Sequence, residues 1–214
     1  ACTRFCEQPD LPHVGGTKDP DVARIAGLAP DLVVMCVEEN RREDAEALAD
    51  AGVATASLSI DGLADVAPGL RMLAALVGVP QDAPPLGELD ELARAAPPPA
   101  RLRAFVPIWK RPWMTLSGGT YGSTLLAAIG VTNVFADAPE RYPTVALEEA
   151  RDRRPDVVLA PSEPYPFRER HVPVLSEVAP VVLVDGQDLF WWGARTPEAM
   201  ARLRARLAGV GPAG

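Results

Sequence analysis

Two apolar runs of the same form organise the pattern of hydrophobic and polar positions. Pro30-Asp31-Leu32-Val33-Val34-Met35-Cys36-Val37 turns polar at Glu38-Glu39-Asn40, and Pro155-Asp156-Val157-Val158-Leu159-Ala160-Pro161 turns polar at Ser162-Glu163. An unbroken run rich in β-branched residues predicts a parallel strand buried on both faces. Ligands of open α/β sheets sit just beyond the carboxyl ends of such strands. Glu38, Glu39 and Asn40 therefore mark one candidate rim, and Glu163, Tyr165 and Phe167 a second. The repetition predicts two similar lobes, each an α/β unit.

The remaining pattern fits that scheme. Thr3–Cys6 reads as a short strand. Asp19-Pro20 reads as a cap and first turn for a helix whose inner face is Val22, Ile25, Ala26 and Leu28. Asn40 followed by Glu43 resembles a capping box for a helix to about Ala51, with Gly52 at its end and a strand at Val53–Leu58. Leu63, Val66, Leu70, Leu73 and Val77 form a helical stripe in which Pro68-Gly69 predicts a kink, and Leu86–Ala96 a second helical piece. Residues 61–100, ending in Pro97-Pro98-Pro99, read as the connection between a first lobe at 1–60 and a second at 101–214. In that second lobe the expected strands are Leu102–Ile108, Val131–Phe135, the repeated run, Val172–Leu175 and Val181–Val184. The expected helices cover Tyr121–Ile129, a Thr144-capped segment to Arg153, and a segment opened by Thr196-Pro197-Glu198 with Thr196 as cap and Pro197 at the first helical position.

Composition narrows the function. The formal net charge of −8 leaves no basic footprint for nucleic acid. No apolar run is long enough to span a membrane, and no signal peptide is visible. The three cysteines, Cys2, Cys6 and Cys36, do not form a disulfide framework. Cys36 reads as core, whereas Cys2 and Cys6 leave a bridge, a ligand pair or neither open, with Cys6 the one candidate metal ligand.

Gly118-Gly119-Thr120 lacks the spacing and lysine of a phosphate loop and reads as a turn and cap. Neither His13 nor His171 lies in a recognisable catalytic setting, so no nucleophile–base pair is legible. The aromatics carry more information. All four tryptophans, Trp109, Trp113, Trp191 and Trp192, fall in the second half, after expected strands. Loop tryptophans there suit stacking on a large planar or macrocyclic ligand, or alternatively the stapling of loops.

Gly15-Gly16-Thr17-Lys18-Asp19-Pro20-Asp21, Pro30-Asp31-Leu32-Val33, Glu38-Glu39-Asn40-Arg41-Arg42-Glu43-Asp44 and Trp191-Trp192-Gly193-Ala194-Arg195-Thr196-Pro197 together resemble the helical-backbone metal receptors, the cobalamin-binding-type class III receptors of ABC importers. The resemblance implies an α/β fold of two Rossmann-like lobes with parallel sheets, a helical connection and a ligand cleft between the lobes. The strand and helix that usually precede Thr3 in that family have no counterpart here. It implies no enzyme activity and no intrinsic cofactor, but a metal chelate as ligand: a corrinoid such as cobalamin, haem or a ferric siderophore. The ligand-binding residues expected are Phe5, Cys6, Lys18, Glu38, Glu39, Trp109, Trp113, Tyr165, Phe167 and Trp191. Of the positions that clasp cobalamin in the family, Phe5 and Trp191 match and Thr17 and Cys36 do not. Importer-docking glutamates would fall at Ala23 and Gly193, so Asp21 and Glu198 are the nearby candidates for contact with an ABC permease. A monomer in an extracytoplasmic location is expected, with a cytoplasmic carrier or sensor as the alternative and an enzyme on the same scaffold as a third reading.

Overall fold

The computed structural model describes residues 10–82 and 84–212. These divide into two compact units, with the boundary between Ile60 and Asp61.

The first unit runs α1 (Val22–Gly27), β1 (Val33–Cys36), α2 (Arg42–Asp50) and β2 (Thr55–Leu58). β1 and β2 pair in parallel, from Val33 opposite Thr55 to Cys36 opposite Leu58. This is the expected strand–helix–strand crossover. Its core is Ile25, Met35, Leu48 and Val53, with Val22, Ala26 and Ala45 packed against it from the helices. β1 is not buried on both faces as its composition predicts: Met35 is buried while Val34 is 44% exposed.

Two caps differ from expectation. Asp21, not Asp19, caps α1 by accepting from the Arg24 N–H at 2.9 Å. Asn40 does not cap α2, which begins after Arg41 without a side-chain cap. Its Oδ1 instead accepts from the Cys36 N–H at 2.9 Å, and its Nδ2 donates to the Thr17 carbonyl at 2.9 Å. A short amide side chain that can close its own turn competes with capping, and here the turn takes it.

The second unit opens with α3 (Leu63–Leu76) and α4 (Leu86–Arg94). α3 continues through Pro68, where the sequence predicts a kink. The missing N–H removes a single bond near the helix start, and Val66 and Ala67, fully buried, hold the turn by packing. α4 packs beside α3, with the Arg71 guanidinium on both carboxylate oxygens of Asp90 and Arg94 on the same carboxylate at 3.3 Å.

A four-stranded parallel sheet follows, built from β3 (Leu102–Phe105), β4 (Val131–Asn133), β5 (Val157–Pro161) and β6 (Val181–Val184) in the order β4-β3-β5-β6. β5, the second copy of the repeated run, is buried at all five positions. Around the sheet lie α5 (Tyr121–Ala128), α6 (Leu147–Asp152), α7 (Val172–Leu175), α8 (Gly186–Phe190) and α9 (Thr196–Leu207). Phe105, Phe135, Val158, Ala160, Phe167 and Leu175 lie in one of its hydrophobic clusters.

Three sequence expectations are corrected in this unit. Val172–Leu175 is helical, because Pro173 fixes φ in the helical range at the start of a turn and has no N–H to give a strand ladder. Thr144 lies in an antiparallel bridge with Met114, and α6 begins only after Ala146. Thr196 is fully buried and its Oγ1 shares a hydrogen bond with the Tyr121 hydroxyl at 2.8 Å, so it is an internal tie and not a helix cap. Thr120, by contrast, caps α5 as expected, accepting from the Ser123 N–H.

Candidate functional site

In the order β4-β3-β5-β6, chain connections leave β3 and β5 in opposite directions across the sheet, so the switch point lies between these two strands. A crevice outside their carboxyl ends is where such a sheet takes a ligand. Both loops at that point are aromatic. After β3, Trp109 and Met114 form an antiparallel bridge that closes Lys110-Arg111-Pro112-Trp113 into a tight turn. The Ile108 N–H donates to the Met114 carbonyl at 2.8 Å, and Arg111 takes a positive φ of 72° at the corner. Trp113 is held from outside the turn, its carbonyl accepting from the Val145 N–H at 3.0 Å. After β5, the Phe167 N–H donates back to the Pro161 carbonyl at 3.2 Å, which folds Ser162–Phe167 over the strand end.

These two loops bring four predicted residues together. Trp109 meets Tyr165 edge-on, with centroids 5.6 Å apart at 78°. Trp113 lies parallel to Phe167 at 6.1 Å and 6°, and Tyr165 tilts against Phe167 at 4.8 Å. Phe167 is buried, but Trp109 leaves 44% of its surface open. The cluster is therefore anchored at one side and free at the other, the form a stacking platform requires.

Sequence reasoning missed the residue that completes it. His171, in the 3-10 turn Glu169–His171, is 4% exposed and meets both Tyr165 and Phe167 edge-on at 5.5 Å. Its Nδ1 accepts from the Arg168 N–H at 3.1 Å. Burial first, then Lys110, Arg170 and Arg168, push its pKa below the ordinary histidine value, so the ring is neutral near pH 7. A histidine four residues after a strand-end Phe is the only sequence signal, and it is a weak one. The same three cations give this rim a positive character within an acidic chain, and the Lys110 ammonium lies 5.5 Å from the Trp113 ring.

The other predicted residues fall elsewhere. Glu163 is buried at 8% exposure beneath Gly186 and is not a solvated rim carboxylate. Trp191 follows α8 at the carboxyl side of β6, half-buried, with the Arg195 guanidinium 5.6 Å from its ring. In the first unit Lys18 donates to the Glu38 carbonyl at 2.8 Å and the Thr17 hydroxyl to the Glu39 carboxylate at 3.3 Å. Lys18, Glu38 and Glu39 thus gather at the carboxyl end of β1, with Lys18 and Asn40 tying the Gly15–Pro20 loop to the turn after the strand. Phe5 and Cys6, and with them Cys2 and the expected strand at Thr3–Cys6, lie outside the described residues. Asp21 is exposed while capping α1, and Glu198 is exposed with an Arg202 contact at 3.5 Å. Among the described residues no group of three or more His, Cys, Asp or Glu side chains is placed to hold a metal ion. Two recesses of about 290 and 330 Å³ follow edge strand β6, and neither is lined by a ring of the aromatic cluster. We place the candidate site on the aromatic rim, where the side-chain chemistry converges on the switch point.

Solved structures share the fold. The chain aligns with the periplasmic vitamin B12 binding protein BtuF of Vibrio cholerae at a TM-score of 0.72 and 20% identity, covering 94% of this chain and 84% of that one. A periplasmic haem binding protein from Pseudomonas aeruginosa gives 0.73 and 20%, covering 96% and 82%. In sequence, a vitamin B12-binding protein of Pectobacterium atrosepticum is 29% identical over 72% of this chain and 58% of its own length. One from Pectobacterium carotovorum is 27% identical over 74% and 60%. The chain thus spans about three-fifths of the length of these two sequence relatives. The periplasmic binding protein family matches residues 2–169, and the chain belongs to that family.

Proposed function

We propose that this protein is a receptor for a metal chelate, a corrinoid, haem or a ferric siderophore, which stacks on the aromatic rim of the second unit. The observation that carries the reading is the convergence of Trp109, Trp113, Tyr165 and Phe167 at the switch point of the sheet, with Trp109 left open. A planar or macrocyclic chelate offers the large apolar face such rings take, and Lys110, Arg168 and Arg170 favour acidic substituents at its edge. Likeness to vitamin B12- and haem-binding proteins supports the same ligand class. By that likeness the chelate is cargo for an ABC importer in an extracytoplasmic compartment, with Asp21 and Glu198 as the candidate contacts to its permease.

The test is a titration of the purified protein with cyanocobalamin, haemin and a ferric siderophore, following the visible bands and tryptophan fluorescence. Saturable quenching with a band shift for at least one chelate is expected. If all three leave both signals unchanged, the receptor reading is wrong.

A further inference from the structure

One feature of the rim is not explained by stacking alone: the ring beneath it is a buried histidine and not another aromatic hydrocarbon. Resting on the chelate-receptor reading, we propose that His171 is the positioning residue of the rim: neutral, it holds Tyr165 and Phe167 against Trp109 and Trp113, and its protonation in mild acid loosens the rim and weakens its hold on the chelate.

The geometry makes His171 the shared neighbour of both inner rings, edge-on to each at 5.5 Å, and these in turn meet Trp109 and Trp113. Its Nδ1 is an acceptor for the Arg168 backbone N–H at 3.1 Å, which fixes the chain immediately after Phe167. A proton on Nδ1 turns that acceptor into a donor facing a donor, so the bond is lost. The new charge would be 96% enclosed against aromatic rings. Among the described residues the charged groups acting on it are cations: Lys110 from the loop after β3, and Arg168 and Arg170 from its own turn. The Arg170 Nε lies 3.3 Å from His171 Nε2, and the phenol-bearing ring of Tyr165 is the remaining titratable group against it. Among the described residues no carboxylate is one of the groups acting on the imidazole to stabilise an imidazolium.

The direction of the pH effect follows. The folded state binds its proton less readily than an unfolded chain, whose histidine titrates near 6.5, so the closed rim is favoured above that value and is lost progressively as pH falls below it. The rim is thus built to hold at neutral pH and to loosen in acid.

Two arms test this, one without ligand. In the ligand-free protein, near-ultraviolet circular dichroism is followed from about pH 8 down to about pH 5 for the wild type and for His171→Asn, whose amide oxygen can replace Nδ1 as acceptor without titrating. The wild type is expected to lose aromatic signal with a midpoint below 6.5 and the variant to stay level. In the second arm, affinity for cyanocobalamin and haemin falls roughly threefold or more over the same range in the wild type and changes less than about twofold in His171→Asn. Matching pH profiles in the two proteins overturn the proposal. Loss of the circular dichroism signal without binding of cyanocobalamin, haemin or a ferric siderophore supports the coupling of His171 to the rim and overturns the receptor reading alone. Should His171→Asn not fold, the imidazole is titrated directly by NMR in the otherwise wild-type protein. With only two histidines, His13→Gln assigns the signals, and a His171 midpoint at or above 6.5 overturns the proposal.

Discussion

Gly186→Ala sets two physical effects against each other in a way the structure resolves. Gly186 is the first residue of α8, where helix propensity alone favours alanine by up to about 1 kcal/mol. Sterics oppose it. A Cβ there would lie 2.7 Å from both the backbone N and O of Glu163, well inside ordinary van der Waals contact, and would also overlap the Glu163 Cγ. A backbone cannot swing away as a side-chain tip can, and this stretch is tied on both sides. The Ser162 N–H donates to the Val184 carbonyl at 3.0 Å, and the Gly186 N–H donates to Ser162 Oγ at 3.0 Å. Overpacking costs about 1–3 kcal/mol, and the hydrogen bond most exposed to the shift about 1 kcal/mol more. After the propensity gain, a net loss of about 2 kcal/mol is expected. Urea unfolding followed by tryptophan fluorescence reads this directly, because all four tryptophans lie in the second unit. With a slope near 2 kcal/mol per molar urea, the midpoint should fall by about 1 M. Chelate affinity should fall with it, since the displaced loop carries Tyr165 and Phe167. A midpoint that stays put or rises would show that the contact is relieved without strain, and the steric argument would fail.

Other outcomes follow from the same geometry. Trp109→Ala should change stability by less than about 1 kcal/mol, because the ring is 44% exposed, yet lower chelate affinity about tenfold; equal affinity in an absorbance titration would remove Trp109 from the site. Asp188→Asn should destabilise the fold by about 1–3 kcal/mol, since the carboxylate is 4% exposed and holds Arg202 at 2.7 Å and Arg195 at 3.4 Å. Chemical denaturation checks this, and an unchanged midpoint would make the cluster energetically neutral. Burial pushes the Tyr121 phenol up to about 12, against the lesser effect of its Thr196 hydrogen bond. Its folded pKa exceeds its unfolded value, so its contribution to stability is intact below pH 10 and is lost as pH rises toward 12. Tyr121→Phe should abolish the last of the tyrosine ionisations seen at 295 nm; a late step that persists would belong to Tyr142 or Tyr165.

Much of the fold was legible because its signals are short-range. The repeated Pro-Asp runs became β1 and β5, and Thr120 became the cap of α5, as a local reading predicts. Local signals failed where two uses of one residue competed. Asn40 has the chemistry of a cap and of a turn, and the loop at Thr17, over twenty positions away, provided the partner that decided between them. Thr196 likewise went to the Tyr121 hydroxyl. Val172–Leu175 has strand-like composition, but Pro173 fixes a helical φ and has no N–H for a ladder.

The candidate site divides in the same way. The chain itself determined which residue types stand at strand ends: Trp109 and Trp113 after β3, Tyr165 and Phe167 after β5, all readable from an apolar run followed by aromatic loops. Only the tertiary structure decided which of them meet. The order β4-β3-β5-β6 makes β3 and β5 neighbours although more than fifty residues separate them, and that places one aromatic pair against the other. It also put Glu163 under Gly186 instead of in solvent, and turned an isolated His171 into the ring both inner aromatics share. Hydrophobic periodicity encodes which face of an element is buried; it carries no record of which distant face will cover it.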